Sequence, residues 1–418
     1  MQYTLCNDSK FEASLIKVDE PYNEGLKDLL FHSKQGNSFP LYNQYYNSYE
    51  KYILHFVEKF NNKLRELYPF EYCKSSALLS LKDPLMQHYL KKFPQKQYRL
   101  ENAQLFLKPA CCANHFKIWS QKGTYVKKKQ IIHEVADVYR MENEGTVRGL
   151  VRGNYFTIID YHFTTVMEDY KKDFVVIRKN LQCFYDQLLG CNWSENFVQI
   201  IRINQDKYEQ YKPFMDQLSQ GAAPSKFFVE VLKNSNSQCC QYYHLKYELS
   251  YIGKGHPFTL GTIQIDFEYP EYFLLDKSKY GLKPTLHFSQ GSINRVVQVL
   301  IGRKDVPQRA LKVYVLGQDM EAKKQKIRDL NLEQSLLWDD SSKNLSQALS
   351  YDKLNQFFYS TILVYGDRDH LQGTYTLITR SNNKEQRKQL VLSELQLKKY
   401  LNASKIMRGP QEYYVTTL

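Results

Sequence analysis

The sequence predicts a mixed α+β chain of two domains. Three observations carry this. Residues 135–163 (VADVYRMENEGTVRGLVRGNYFTIIDYHF) read as two strands joined by a charged, glycine-containing loop. Residues 47–66 (NSYEKYILHFVEKFNNKLRE) read as a long amphipathic helix. Beyond a boundary near residue 305, short strand and helix patterns alternate as in a compact α/β domain.

Taken in order, residues 1–40 are mixed and weakly periodic. The 47–66 helix places Tyr52, Ile53, His55, Phe56, Phe60 and Leu64 near one face. Residues 103–109 read as a strand ending in Lys-Pro. The hairpin flanks, Val135–Tyr139 and Tyr155–Phe163, are rich in β-branched and aromatic residues, and the loop carries Arg140, Glu142, Glu144, Arg148 and Arg152. A helix follows over 166–190. Residues 258–268 (FTLGTIQIDFE) alternate as a strand. Pro284–Phe288 reads as a strand, Gln290-Gly291-Ser292 as a turn, and Ile293–Ile301 as an apolar helix carrying Arg295. After Arg303–Pro307 the pattern predicts strand 311–316, helix 319–330, strand 334–338, helix 343–356, strands 361–365 and 373–379, and helix 391–402. The domains are therefore set at 1–305 and 306–405, with residues 406–418 a docked or disordered tail. No internal repeat is present.

Composition limits the function classes. Of 418 residues, 43% are hydrophobic, which is enough for a core and excludes general disorder. No window reaches the roughly 18 apolar residues of a membrane-spanning helix. The start, MQYTLCNDSKFEASLIKVDE, has neither the apolar run of a signal peptide nor the acid-poor character of a transit peptide. The net charge of +13 suits a polyanionic partner such as nucleic acid, or simply a soluble cationic surface. The eight cysteines (Cys6, Cys73, Cys111, Cys112, Cys183, Cys191, Cys239, Cys240) form no Cys-x-x-Cys. They indicate a reducing compartment and mostly buried thiols.

Chemistry could sit in several places. Arg140, Glu142 and Arg152 can present opposite charges to a nucleotide, or pair with one another across the hairpin. Cys111, Cys112 and His115 have a metal-compatible spacing, equally suited to buried thiols beside a core histidine. Cys112, His162 and His287 form a three-ligand zinc site if the fold brings them together. Ser292 can cap the helix that carries Arg295, and Arg295 could reach a γ-phosphate.

Read together, these segments resemble the class II aminoacyl-tRNA synthetases, over roughly residues 28–402. YRMENEG…RGLVRGNYFTIIDYHF resembles motif 2, and LHFSQGSINR resembles motif 3. GTIQIDFEYPEYF is similar to a stretch particular to threonyl-tRNA synthetases, and LKPACCANH to their KPMNCPGH strand. FYSTILVYGDRDHLQGTYTLITR resembles the anticodon-binding domain of subgroup IIa. The resemblance implies an antiparallel-sheet catalytic core flanked by helices, then a C-terminal α/β anticodon-binding domain.

It further implies a threonine–tRNA ligase that uses Mg-ATP, one zinc per chain and tRNA(Thr), as a homodimer through the 47–66 helix. Arg140 would hold the α-phosphate and the amino-acid carboxylate, and Glu142 the adenine amino group. Arg152 would contact the phosphates, Phe156 would stack on adenine, and Arg295 would bind the γ-phosphate. Cys112, His162 and His287 would ligate zinc. Asp160, Tyr243, Lys246 and Gln264 would face the threonine, and Arg380 and Lys384 the anticodon. The departures are CANH for CPGH, Met141 within the Arg-Asn-Glu pattern, Ile158 for a glutamine, Leu260 for a cysteine, a motif 3 one residue shorter and no motif 1 proline. They leave a second expectation, a catalytically impaired paralogue acting as an RNA-binding or structural subunit. The chain begins near the core, which implies no editing in cis and weak exclusion of serine. The expected compartment is the cytoplasm, with the mitochondrial matrix as the alternative.

Overall fold

The computed structural model describes residues 4–6, 31–32, 41–42, 44–91, 97–100, 103–122, 129–143, 146–147, 149–189, 196–220, 226–232, 243–252, 258–273, 284–302, 310–332, 335–339, 361–380, 387–403 and 413–415. The chain divides into two compact units. One holds Met1–Tyr42 and Tyr49–Gly302, the other Asn43–Ser48 and Arg303–Leu418.

In chain order the larger unit contains strands β1 (Thr4–Cys6), β2 (Phe31–His32), β3 (Leu41–Tyr42), β4 (Phe70–Tyr72), β5 (Leu78–Ser80), β6 (Arg99–Leu100) and β7 (Leu105–Leu107). Then come β8 (Gln130–Tyr139), β9 (Tyr155–Thr164), β10 (Phe197–Asn204), β11 (Phe227–Leu232), β12 (Tyr243–Tyr251), β13 (Phe258–Asp266) and β14 (Thr285–Ser292). Its helices are α1 (Gln44–Leu67), of which the part from Tyr49 on belongs to this unit, α2 (Pro84–Lys91), α3 (Cys112–Lys122), α4 (Tyr170–Leu189), α5 (Gln205–Ser219), α6 (Glu268–Tyr272) and α7 (Ile293–Gly302). Nine strands form one sheet in the order β1-β11-β10-β12-β13-β14-β9-β8-β4. From β10 through β12, β13, β14 and β9 to β8 every pairing is antiparallel. The α+β expectation therefore holds.

Side chains alternate between the two faces of a strand. On one face, His133, Tyr161, Phe288, Ile263, Tyr247 and Ile201 lie opposite one another across six strands. This face is apolar and aromatic. Tyr161 stacks between His133 (4.2 Å between ring centroids) and Phe288 (4.5 Å). Helices α1 and α4 cover it. From Tyr49 on, the buried positions of α1 include Ile53, Phe56, Val57, Phe60, Asn61 and Leu64, a helical stripe. Tyr52 and His55, expected on that stripe, sit at its half-exposed margin. Phe60 meets Tyr161 and Phe184 edge-on, and burying such a ring contributes about 1.5–3 kcal/mol. Asn61 accepts the Tyr161 hydroxyl at 2.8 Å, which ties α1 to the sheet centre.

Two features depart from the sequence reading in this unit. Gln290-Gly291-Ser292 is not a turn after a short strand. β14 runs through it with a register irregularity between Ser289 and Ser292. Gly291 has φ +76°, and a Cβ there would lie 2.0 Å from the Leu260 carbonyl oxygen, so only glycine fits. Among the described cysteines, Cys111 and Cys112 are buried, but Cys73 is half-buried and Cys183 is exposed, so burial is not general.

The smaller unit has strands β15 (Ala310–Val315), β16 (Ser335–Asp339), β17 (Thr361–Tyr365), β18 (Tyr375–Arg380), β19 (Arg387–Leu392) and β20 (Tyr413–Val415). Its helices are α8 (Met320–Arg328), α9 (Asp367–Gln372) and α10 (Glu394–Ala403). The six strands make one sheet, ordered β19-β18-β17-β15-β16-β20, with Leu311, Val313, Leu363, Tyr365, Leu377 and Leu397 in its core. The expected 391–402 helix is corrected here. Residues 387–392 pair with β18, and the helix starts only after Ser393. The Ser393 amide donates to Gln396 Oε1 at 2.9 Å, the reciprocal half of a capping box that fixes this start. The tail contributes β20, which pairs with β16. The expected 343–356 helix lies outside the described residues.

The buried His133 gives a pH prediction. Burial pulls its imidazole from 6.5 to about 3, so it stays neutral in the fold. Below pH 6.5 the unfolded chain takes up a proton that the folded chain refuses, and stability falls as pH drops. Urea melts between pH 6 and 5 should show His133→Phe reducing that slope by about 1.4 kcal/mol per pH unit. An unchanged slope contradicts the assignment.

Candidate functional site

The opposite face of the same sheet is polar. Arg202, Lys246, Gln264, His287, His162 and Ile132 stand opposite one another on β10, β12, β13, β14, β9 and β8. Two residues along each strand, Ile200, Glu248, Thr262, Ser289, Asp160 and Glu134 form the adjacent row. Tyr243 is three residues from Lys246 and would point the other way in a regular strand. An irregularity between Tyr243 and Leu245 pairs it instead with Asp266, on the face of Gln264, and Lys246 Nζ lies 6.0 Å from its ring.

Helix α3 brings Cys112 onto this face. Cys112, His162 and His287 are all buried, and one ligand atom from each lies within 4.8 Å of the others. Cys112 Sγ is 3.7 Å from His287 Nδ1. His287 Nε2 is 2.8 Å from the Asp266 carboxylate, which leaves Nδ1 turned to the cysteine. Among the described residues His162 Nε2 has no hydrogen-bond partner, although it is buried. A thiol, an oriented imidazole and an orphaned imidazole nitrogen, all desolvated, fit a tetrahedral thiophilic cation such as zinc with one position left open. Burial, then Asp160, pushes the Cys112 thiol well up, and burial pushes His162 well down, so both groups favour their uncharged forms. Asp160 is buried beside them, and burial holds its carboxyl above the ordinary range.

At the other end of β8 and β9 lies a cationic group. Arg140 donates to the Pro109 carbonyl at 2.9 Å and covers one face of Phe156, 5.1 Å from the ring centroid. Arg152 grips Glu142 Oε2 through Nε (2.9 Å) and a terminal nitrogen (2.7 Å). The cross-hairpin ion pair weighed in the sequence is thus formed. Arg295, in the first turn of α7, donates to the Val151 carbonyl at 2.7 Å and the Thr259 carbonyl at 2.8 Å. Burial, then Arg140, lowers its guanidinium to about 10, with Arg152 adding to the effect. The charges of Arg140 and Arg152 thus oppose that of the buried Arg295, an arrangement complementary to an anion.

Several participants had no motif to announce them. Glu248 receives Lys246 Nζ at 2.5 Å and a contact from Arg202, which also holds Glu230 at 2.6 Å. Against the upward push of burial, Lys246 and Arg202 hold Glu248 down at about 2. Behind His162 lies His115, with Nδ1 to Nδ1 at 2.8 Å, then Glu134 and Lys108. His115 is therefore not in the three-donor cluster but packed against it. Cys73, His115 and Glu134 also approach one another closely, although the buried Lys108 ammonium, 3.1 Å from Glu134, already neutralises that carboxylate. Glu248 and Asp266 each stand two residues from a site residue on the same strand, Lys246 and Gln264, and that alternation was the available signal for them. The Arg380 side chain and Lys384 lie outside the described residues.

The model of the "tRNA synthetase class II core domain (G, H, P, S and T)" matches residues 96–304, half of the chain. The chain belongs to that family. Class II relatives include the threonine–tRNA ligase of Methanosphaera stadtmanae, 25% identical over 54% of this chain and 38% of that protein. The enzyme of that name from Methanosarcina acetivorans is 23% identical over 77% of this chain and 54% of its own. That from Cytophaga hutchinsonii is 30% identical over 48% and 32%. The chain thus spans about a third to a half of the length of these class II relatives. Among solved structures, the RNA-binding domain of threonyl-tRNA synthetase from Cryptosporidium parvum is similar in fold. Its TM-score is 0.66 at 16% identity, over 91% of this chain and 97% of that one. A putative threonyl-tRNA synthetase from Aeropyrum pernix gives 0.62 at 16%, over 94% and 93%. No helix among the described residues of this class II chain is long and apolar enough to cross a membrane.

The arginine cluster predicts anion-linked stability. Inorganic pyrophosphate at one hundred times its Kd should stabilise the protein by about 2.7 kcal/mol. Arg295→Gln should abolish most of the effect in thermal melts. An equal response in the variant contradicts an anion site at these residues.

Proposed function

We propose that this chain is a threonine–tRNA ligase that activates threonine with Mg-ATP and transfers it to the 3′-terminal ribose of tRNA(Thr). The observation that carries the reading is the convergence of Cys112, His162 and His287 with Asp160 on the polar face, near enough to Arg140 for its charge to act on Asp160. In this reading Cys112, His162 and His287 would hold a zinc ion, which would supply Lewis-acid polarisation to the threonine bound beside it. Asp160 accepts a hydrogen bond from the threonine hydroxyl, and Gln264, Tyr243 and Lys246 close the pocket. Arg140 exchanges its contact with Phe156 for the α-phosphate and carboxylate, which stabilises charge as the carboxylate attacks. Phe156 then stacks on adenine, whose amino group donates to Glu142. Arg152 and Arg295 bind the outer phosphates together with Mg²⁺.

The discrimination logic is physical. Threonine and valine are near-isosteres, and an apolar pocket separates them by only about 10². A buried carboxylate and a metal that both need the hydroxyl extend this, because valine leaves them unsatisfied. The smaller unit would read the anticodon, with Arg380 and Lys384 as contacts, and the cationic surface would give salt-dependent tRNA affinity. The active species would be a homodimer.

Threonine-dependent ATP–pyrophosphate exchange on zinc-replete protein tests this. Exchange with threonine, at least 10²-fold weaker exchange with valine, and intermediate exchange with serine are expected. No exchange with any amino acid contradicts the ligase reading. It would favour a catalytically impaired RNA-binding or structural subunit, in which Arg140 keeps its place over Phe156.

A further inference from the structure

His162 can ligate a metal through Nε2 only if its proton resides on Nδ1. Nothing on β9 itself fixes this, and the imidazole is wholly buried, away from solvent. Among the described residues its Nδ1 faces one partner, His115 Nδ1, at 2.8 Å. One of the two nitrogens must donate and the other accept. His115 Nε2 in turn faces Glu134 Oε2 at 3.2 Å.

The surroundings of Glu134 decide the direction. Its Oε1 accepts from the Ser75 amide (2.8 Å) and from the Lys108 ammonium (3.1 Å), and its Oε2 accepts from the Ser75 hydroxyl (2.8 Å). Ser75 Oγ also accepts from Lys108 and from Asn114 Nδ2 (3.0 and 2.8 Å). Every neighbour of the carboxylate donates to it, and the Lys108 cation keeps it ionised. An acceptor-only group at this place requires His115 to donate from Nε2. Neutral His115 then has a bare Nδ1, so His162 must donate from its own Nδ1 and its Nε2 carries the lone pair. His287 achieves the same end directly, since its Nε2 faces Asp266.

We propose that Lys108, Glu134 and His115 form a buried relay that sets the His162 tautomer and so presents its Nε2 to the metal. Glu134 and His115 are positioning residues. This inference rests on the zinc reading given above, but its first readout needs no metal.

Glu134→Gln is nearly isosteric and reverses the relay. The Ser75 amide and Lys108 demand an oxygen at the Oε1 position, so the amide NH2 must occupy the Oε2 position facing His115. It then donates to His115 Nε2, His115 donates from Nδ1, and His162 accepts there and carries its proton on Nε2. Nitrogen-15 NMR of histidine-labelled, zinc-free protein reads the tautomer. The wild type should show His162 protonated at Nδ1, and Glu134→Gln should show it protonated at Nε2. Zinc affinity, measured by competition with a chromophoric chelator, should fall about 10- to 100-fold in Glu134→Gln. A wild-type His162 protonated at Nε2 overturns the relay without reference to any variant. So does a folded Glu134→Gln protein with an unchanged His162 tautomer and unchanged zinc affinity. A wild type with the expected tautomer that binds no zinc overturns instead the zinc reading on which the relay's purpose rests.

Discussion

The pairing register of β9, β14 and β13 is the constraint on which the polar face depends. His162, His287 and Gln264 are opposite one another only in this register, with Asp160 and Ser289 one pair along. A slip of one residue would turn Tyr161 and Phe288 into the pocket and the two histidines toward α1. The aromatic stack on the other face prevents the slip. Tyr161 lies between His133 and Phe288, and its hydroxyl is taken by Asn61 of α1 and by Gln290. The apolar face therefore holds the polar face in alignment. The glycine at 291 then lets β14 pass close to the Leu260 carbonyl and deliver Arg295 at the start of α7.

Burying this much charge needs compensation, and the structure provides it group by group. Glu134 is neutralised by Lys108, and Glu248 by Lys246 and Arg202. Removing one partner from such a pair costs about 3–5 kcal/mol, because the other charge is left unpaired. The arginines are the exception. Arg140 and Arg152 both disfavour the charge on Arg295, with Glu142 and Glu248 as partial relief. That excess of positive charge is complementary to a polyphosphate. The three-donor cluster is different again, since the Cys112 thiol and the His162 imidazole favour their uncharged forms. One end of the face is prepared for an anion and the other for a soft cation.

How much of this was legible follows from the kind of signal involved. The β8–β9 hairpin, α1, α4 and β13 were readable because each has a long, consistent period. Cys112, His162, His287, Asp160 and Gln264 were readable through the resemblance, and register then placed them together. The stretch from β10 to β12 was harder. Its strands are buried on both faces, as in the unbroken burial of Phe197–Ile203, so alternation is absent. Tyr243 shares a face with Lys246 only through a strand irregularity that no spacing rule foretells. The start of α10 was marked by a Ser-x-x-Gln box at Ser393 that competed with an apparent helix from 391. His115 was marked by its spacing from Cys111 and Cys112, but as a candidate ligand and not as a neighbour of one, and Glu134 acts only through tertiary neighbours, so no motif announced it.

The register of β9 and β14, with α3 above them, brings one thiol and two imidazoles together, and the proposed function makes them a single zinc site. X-ray absorption at the zinc edge, on protein carrying one equivalent of zinc, tests it most directly. One sulfur at about 2.3 Å and two imidazole nitrogens at about 2.0–2.1 Å are expected, with the remaining position filled by a light atom. A first shell without sulfur, or with oxygen and nitrogen in the manner of loosely bound surface zinc, would contradict it.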